Sequence, residues 1–318
     1  MANVPAVVYN NLSIMLEAGV PVRQCLGTAV SPAKGELGKA WREVGEAVLQ
    51  GEGLAEAMRK HPKEFAELDV LVIEAGEVSG GLPEALKRLS QWYDFCERIK
   101  KTVVSAMVLP VLVLTAAALV IPFPRWFMGN ISGWGYLLEA AKPLAVLFMP
   151  IGVIWGIVRY TPKAGVARKL VDGVTLRLPL MGRAVKQLAL SRYFMAFHTL
   201  FKAGVPVVRC ADMSADVTGN AVVREWVKPG AESAREGHPV SERFGREFPK
   251  DFLDAWLVGE ESGKLEEVSE RLARIAAEKA EWMIGEIAKW LPRLIYALIC
   301  IWMIRMIFGM WGQIYTIR

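Results

Sequence analysis

Two glycine–lysine pairs, three histidines and four cysteines are the residues from which a phosphate, acid–base or metal site could be assembled in this chain. A phosphate-binding loop needs G-x-x-x-x-G-K-[ST], so that backbone N–H groups cradle the phosphates and a hydroxyl reaches magnesium. Gly263-Lys264 has Val258 in place of the first glycine and Leu265 in place of the hydroxyl residue, and Gly38-Lys39 has Ala33 and Ala40 there. Neither is a nucleotide loop. His61, His198 and His238 stand apart, with no H-E-x-x-H spacing and no Ser/Asp constellation beside them. Cys25, Cys96, Cys210 and Cys300 have neither C-x-x-C nor metal-ligand spacing and read as small apolar packers. The expectation is a protein that is not an enzyme, with no cofactor, no metal and no catalytic residue.

The chain does repeat an acidic, glycine-rich stretch. IEAGEVSGGL (73–82) returns as WLVGEESGKL (256–265), at an offset of 183. The correspondence pairs Gly76 with Gly259, Glu77 with Glu260, Gly80 with Gly263 and Glu84 with Glu267. Upstream, LEAGVPVRQC (16–25) matches FKAGVPVVRC (201–210) at an offset of 185. A self-similar segment of this length is a structural unit written twice. Leu82, Ala85, Leu86, Leu89, Tyr93 and Cys96 recur at three- and four-residue steps, and Leu265, Val268, Leu272 and Ile275 do likewise, so each copy is helical. No alternating strand pattern of comparable length accompanies them. In each AGVP, glycine (Gly19, Gly204) supplies a left-handed helix end and proline (Pro21, Pro206) stops the helix. Gly76, Gly80, Gly259 and Gly263 are expected to form tight interhelical turns, with Glu84 and Glu267 complementing the positive end of the following helix.

Three apolar runs interrupt this pattern and raise the apolar fraction to 53%. Residues 102–123 carry no charge, 143–158 form a shorter run, and 290–312 contain Arg293 and Arg305. Each can cross a bilayer as a helix if Glu139 and Lys142 extend toward the headgroups. Lys and Arg cluster before the first run and after the second, which places both flanks in the cytoplasm. The expected order is a cytoplasmic helical domain (1–101), a span (102–123), a short outside loop (124–142), a second span (143–158), a juxtamembrane segment with the second cytoplasmic copy (159–289), a third span (290–312) and an outside tail (313–318). MANVPAVVYNN has neither the basic start nor the apolar stretch of a signal peptide, so the first span is expected to direct insertion. The net charge of +5 arises beside the spans: residues 1–101 hold 12 basic and 14 acidic side chains and offer no stripe for nucleic acid.

The doubled AGVPV, the doubled GExSG-x-L turn and the arrangement of domain, two spans, domain, one span resemble the inner-membrane platform proteins of type IV pilus assembly and type II secretion (the PilC/GspF family). The resemblance covers nearly the whole chain. It implies an all-α integral membrane protein with two homologous cytoplasmic helical-bundle domains and three transmembrane helices, sited in a bacterial inner membrane with its N-terminus in the cytoplasm. It also implies the partners: a cytoplasmic assembly ATPase, pilin or pseudopilin subunits, other inner-membrane assembly proteins, membrane lipid and further copies of the chain as a homo-oligomer. The chain would couple that ATPase to insertion of subunits into a growing filament. Many family members carry a longer segment before the AGVP helix, which here begins within about ten residues of Met1.

Glu77, Glu260, Glu84, Glu267 and Arg305 are the candidate partner contacts. The two acids of the turns could meet the ATPase or a second copy, and Arg305 could meet the buried carboxylate that pilin helices in such systems carry. A transporter with duplicated halves is the alternative, but transporter repeats contain comparable sets of membrane helices and these repeats lie in the polar parts.

Overall fold

The computed structural model describes residues 4–120, 122–129, 131–160, 166–177 and 181–315. Every regular element among them is helical. The first copy comprises α1 (Val4–Glu17), α2 (Val22–Ala29), α3 (Gly35–Leu49), α4 (Leu54–Arg59), α5 (Glu67–Ser79) and the start of α6 (Leu82–Val120). A short α7 (Phe123–Phe127), α8 (Gly133–Tyr160) and α9 (Val166–Arg177) follow. The second copy comprises α10 (Met181–Lys202), α11 (Val207–Asp216), α12 (Ala221–Val227), α13 (Pro229–Arg235), a 3-10 turn (Val240–Arg243), α14 (Lys250–Ser262) and the start of α15 (Leu265–Tyr315).

The chain divides into two compact units, and the division does not fall between the copies. Residues 1–98 and 172–281 form the first unit, so both copies share one body; residues 99–171 and 282–318 form the second. The helices α6 and α15 each begin in one unit and end in the other. Pro110 and Pro292 lie inside these helices without ending them.

Equivalent ties hold the first and last helices of each copy together. Ser13 Oγ donates to the Pro83 carbonyl at 2.8 Å, and His198 Nδ1 meets the Glu266 carbonyl at 3.0 Å from the equivalent place. Ser90 Oγ donates to the Ala6 carbonyl at 2.9 Å; in the second copy the direction is exchanged, with Ser191 Oγ donating to the Ala273 carbonyl at 3.2 Å. Burial, then the Arg88 charge, holds the His198 imidazole below its ordinary pKa, so the ring is a neutral structural tie. Although Ser269 Oγ approaches it at 3.5 Å, that hydroxyl donates to the Glu266 carbonyl at 2.9 Å and is not an activated nucleophile.

The two cores are built differently. The second is aromatic, with Phe197 edge-on to Trp256 at 4.7 Å and Phe194 stacked on Phe252 at 5.5 Å. In the first, Asp69 occupies the place of Phe252 and is 1% exposed. Tyr93 donates its hydroxyl to Asp69 Oδ2 at 2.7 Å, and the Ala66 amide donates to the same oxygen at 3.2 Å. Burial raises the Asp69 carboxyl to about 6, while those hydrogen bonds act in the opposite direction. In the unfolded chain a carboxyl releases its proton near pH ~3.9. The folded state therefore binds more protons between these values, and the stability held below the lower one is lost as pH rises through about 6. The loss is on the order of 2–3 kcal/mol. Thermal unfolding of the full chain in detergent should thus fall from pH 4 to 6.5, and Asp69→Asn should flatten that slope. An unchanged slope would refute the assignment.

The second unit has the surface of a lipid-facing bundle. Leu114 of α6 packs with Ile295 and Ile299 of α15, and Leu144 of α8 lies against them. Val104, Val108 and Leu112 form an exposed apolar line along α6, and Ile301, Ile304 and Phe308 do so on α15. Among the described residues, α6 and the Leu265–Arg305 stretch of α15 are long and apolar enough to cross a membrane.

Candidate functional site: the doubled turns

The AGVP segments fold alike. Gly19 and Gly204 have φ of +81° and +79°, in the left-handed region open to glycine. The next amides close the preceding helices, Val20 N–H donating to the Met15 carbonyl at 3.0 Å and Val205 N–H to the Leu200 carbonyl at 3.1 Å. Pro21 and Pro206 are the N-caps of α2 and α11, so each proline starts the next helix as well as stopping the last. The sulfhydryls of Cys25 and Cys210 donate across each turn to the carbonyls of Val20 and Val205. Burial pushes the Cys210 thiol up to about 12, which suits a packed, unreactive group.

The acidic segments divide into two jobs that the sequence merges. Gly80 and Gly263 are the left-handed caps of α5 and α14, with φ of +74° and +70°. Gly76 and Gly259 are not in the turns; they lie inside the helices, and their role is close approach. A Cβ on Gly76 would stand 2.7 Å from Ala85 Cβ and 3.1 Å from Leu82 Cα, and one on Gly259 would stand 2.9 Å from Val268. The missing side chains let α5 pack on α6, and α14 on α15.

The paired glutamates reach back within their own copy. Glu77 accepts from the amides of Leu54 at 2.6 Å and Ala55 at 3.1 Å, the first residues of α4. Glu260 accepts from the amides of Val240 at 2.7 Å and Ser241 at 3.2 Å, and from the Ser241 hydroxyl. Each carboxylate thus supplies the N-terminal acceptors that Gly53 and Pro239, the local N-caps, lack. Sequence reading missed this because the reach is 23 residues in one copy and 20 in the other. The available signal is GLAE at 53–56 against PVSE at 239–242, a weak likeness that emerges only across a gap.

The remaining candidates are dispersed. Glu84, in the first turn of α6, is bound to Arg88 at 3.0 Å and to Lys202 of the second copy at 2.6 Å; the Lys202 hydrogen bond, foremost, holds its carboxyl below the usual range. Glu267 lies exposed in the first turn of α15, and Arg305 on an exposed part of the same helix.

The geometry describes a duplicated helical device rather than a pocket, and comparison with known proteins agrees. The family model for type II secretion system (T2SS) protein F matches residues 8–128 and again 193–310. The type IV pilus assembly protein PilC of Pseudomonas aeruginosa is 28% identical over 92% of this chain and 84% of its own length. The type II secretion system protein F of the same organism is 26% identical over 85% of this chain and 71% of its own. The PilC of Thermus thermophilus is 27% identical over 84% and 71%. With both copies matched and the pairs falling on the same caps and contacts, the chain belongs to the type II secretion system protein F family.

Proposed function

We propose that the chain is the non-enzymatic membrane platform that couples a cytoplasmic assembly ATPase to insertion of pilin or pseudopilin subunits into a filament. The observation that carries this reading is the continuity of α6 and α15, which run unbroken from the polar unit into apolar runs. At 1.5 Å per residue these helices are about 58 and 76 Å long. The lysine and arginine flanks support a cytoplasmic setting for that unit, and the reading takes α8 as a third crossing. Family membership supports the role, since the relatives are named for pilus assembly and secretion.

Within this reading Glu77 and Glu260 act by fixing α4 and the 3-10 turn as shaped surfaces for the ATPase. Arg305 offers its guanidinium to a carboxylate on a subunit helix, the contact that would justify a charge inside a span. The test is reconstitution of the full chain in lipid vesicles with the assembly ATPase of its own system. ATP turnover by the partner should change several-fold when the chain is present, and Glu77→Gln, which loosens the start of α4, should reduce that change. Unaltered turnover would overturn the coupling role.

A further inference from the structure

The contact between the two copies is one-sided. Along α10, Arg192, Met195, Ala196 and Thr199 share a face at i, i+3, i+4 and i+7, and this helix packs against α5 of the first copy. Arg192 lies over the Trp92 ring at 5.3 Å, and Lys202 meets Glu84 at 2.6 Å. Tyr93 reaches Asp69 and Glu84 adjoins the end of α5, so these fixed points put Thr199 at the level of Ala75. Both are covered, at 6% and 2% exposure.

The equivalent residues are open. Ile14 stands where the second copy has Thr199 and is 56% exposed; Val258 stands where the first has Ala75 and is 62% exposed. Val7, the counterpart of Arg192, is exposed too. On α14, Asp251, Asp254, Ala255 and Val258 repeat the spacing of Leu68, Leu71, Val72 and Ala75, all four of which are buried on α5. A two-fold contact would have buried both sets. A contact that uses a different face of each copy is heterologous, and it leaves one face of each kind unsatisfied.

We propose that a second copy of this chain covers them, with α1 of one molecule seated on α14 of the next in the way α10 sits on α5. The occupant follows from homology within the molecule, because each open face is the duplicate of one already covered by this same domain. The chemistry is compatible: Val7 and Ile14 supply the apolar centre opposite Val258, and the Asn10 and Asn11 amides are available to the Asp254 carboxylate. One pair opposes the contact. Glu17, the counterpart of Lys202, falls opposite Glu267, the counterpart of Glu84, so two acids stand where the chain itself has an ion pair. That makes the intermolecular contact weaker than the internal one and strengthened by salt.

The proposal does not depend on the coupling role, and cross-linking tests it in full chains. In a background with Cys25, Cys96, Cys210 and Cys300 changed to Ala, copies with Ile14→Cys and copies with Val258→Cys would carry tags of different size and be co-expressed. Oxidation in membranes should give a mixed dimer, while either variant alone should give at least ten-fold less. Thr199→Cys with Ala75→Cys in one chain is the internal control for folding. Adding Glu17→Lys, which recreates the internal ion pair, should raise the mixed product at least two-fold at low salt. Equal cross-linking of Ile14→Cys with itself, no mixed product in samples whose internal control closes, or no gain from Glu17→Lys would overturn the proposal.

Discussion

Gly76→Val should cost about 3 kcal/mol, enough to remove much of the folded protein from the membrane. A single methyl at this site already falls 2.7 Å from Ala85 Cβ and 3.1 Å from Leu82 Cα, and neither atom can swing aside. The helices α5 and α6 must separate, and the buried line of Val72, Ile73, Ala85, Leu86 and Leu89 beside them is disturbed. Gly80→Ala is the contrasting variant. Its Cβ would meet nothing within 4 Å, so the cost is that of a left-handed residue at φ +74°, about 1 kcal/mol. Between them lies Glu260→Gln, which turns one oxygen of a carboxylate that accepts from three donors into an NH2 group, at about 1–3 kcal/mol. Thermal unfolding in detergent should rank Gly76→Val as the most damaging. A Gly80 variant more harmful than the Gly76 one would mean that the turn, and not the helix contact, is what the glycines serve.

That ranking marks where the sequence was readable. The AGVP turns follow from two residues with special backbone demands, and their positive φ at Gly19 and Gly204 is what those residues announce. The helical class followed from the spacing of Ala85, Leu86 and Leu89, which the core buries. Gly76 and Gly259 were misplaced into the turns because a close-packed glycine and a turn glycine look the same in one dimension. Glu77 and Glu260 looked like free surface charge because their partners are backbone amides more than 18 residues away. Such amides carry no side-chain signature. The same limit hid the packing of both copies into one unit, which rests on Arg192, Trp92, Lys202 and Glu84 meeting across more than 80 residues.

The second large effect is on assembly itself. If the chain is a platform and has no chemistry of its own, its removal should stop filament growth while leaving every covalent step intact. Deleting it from cells and measuring surface filaments together with the processing state of membrane pilin tests that claim most directly. The account predicts loss of surface filaments, with fully processed pilin accumulating in the membrane and filaments restored by the full chain. Filaments at normal abundance, or pilin left unprocessed, would contradict it.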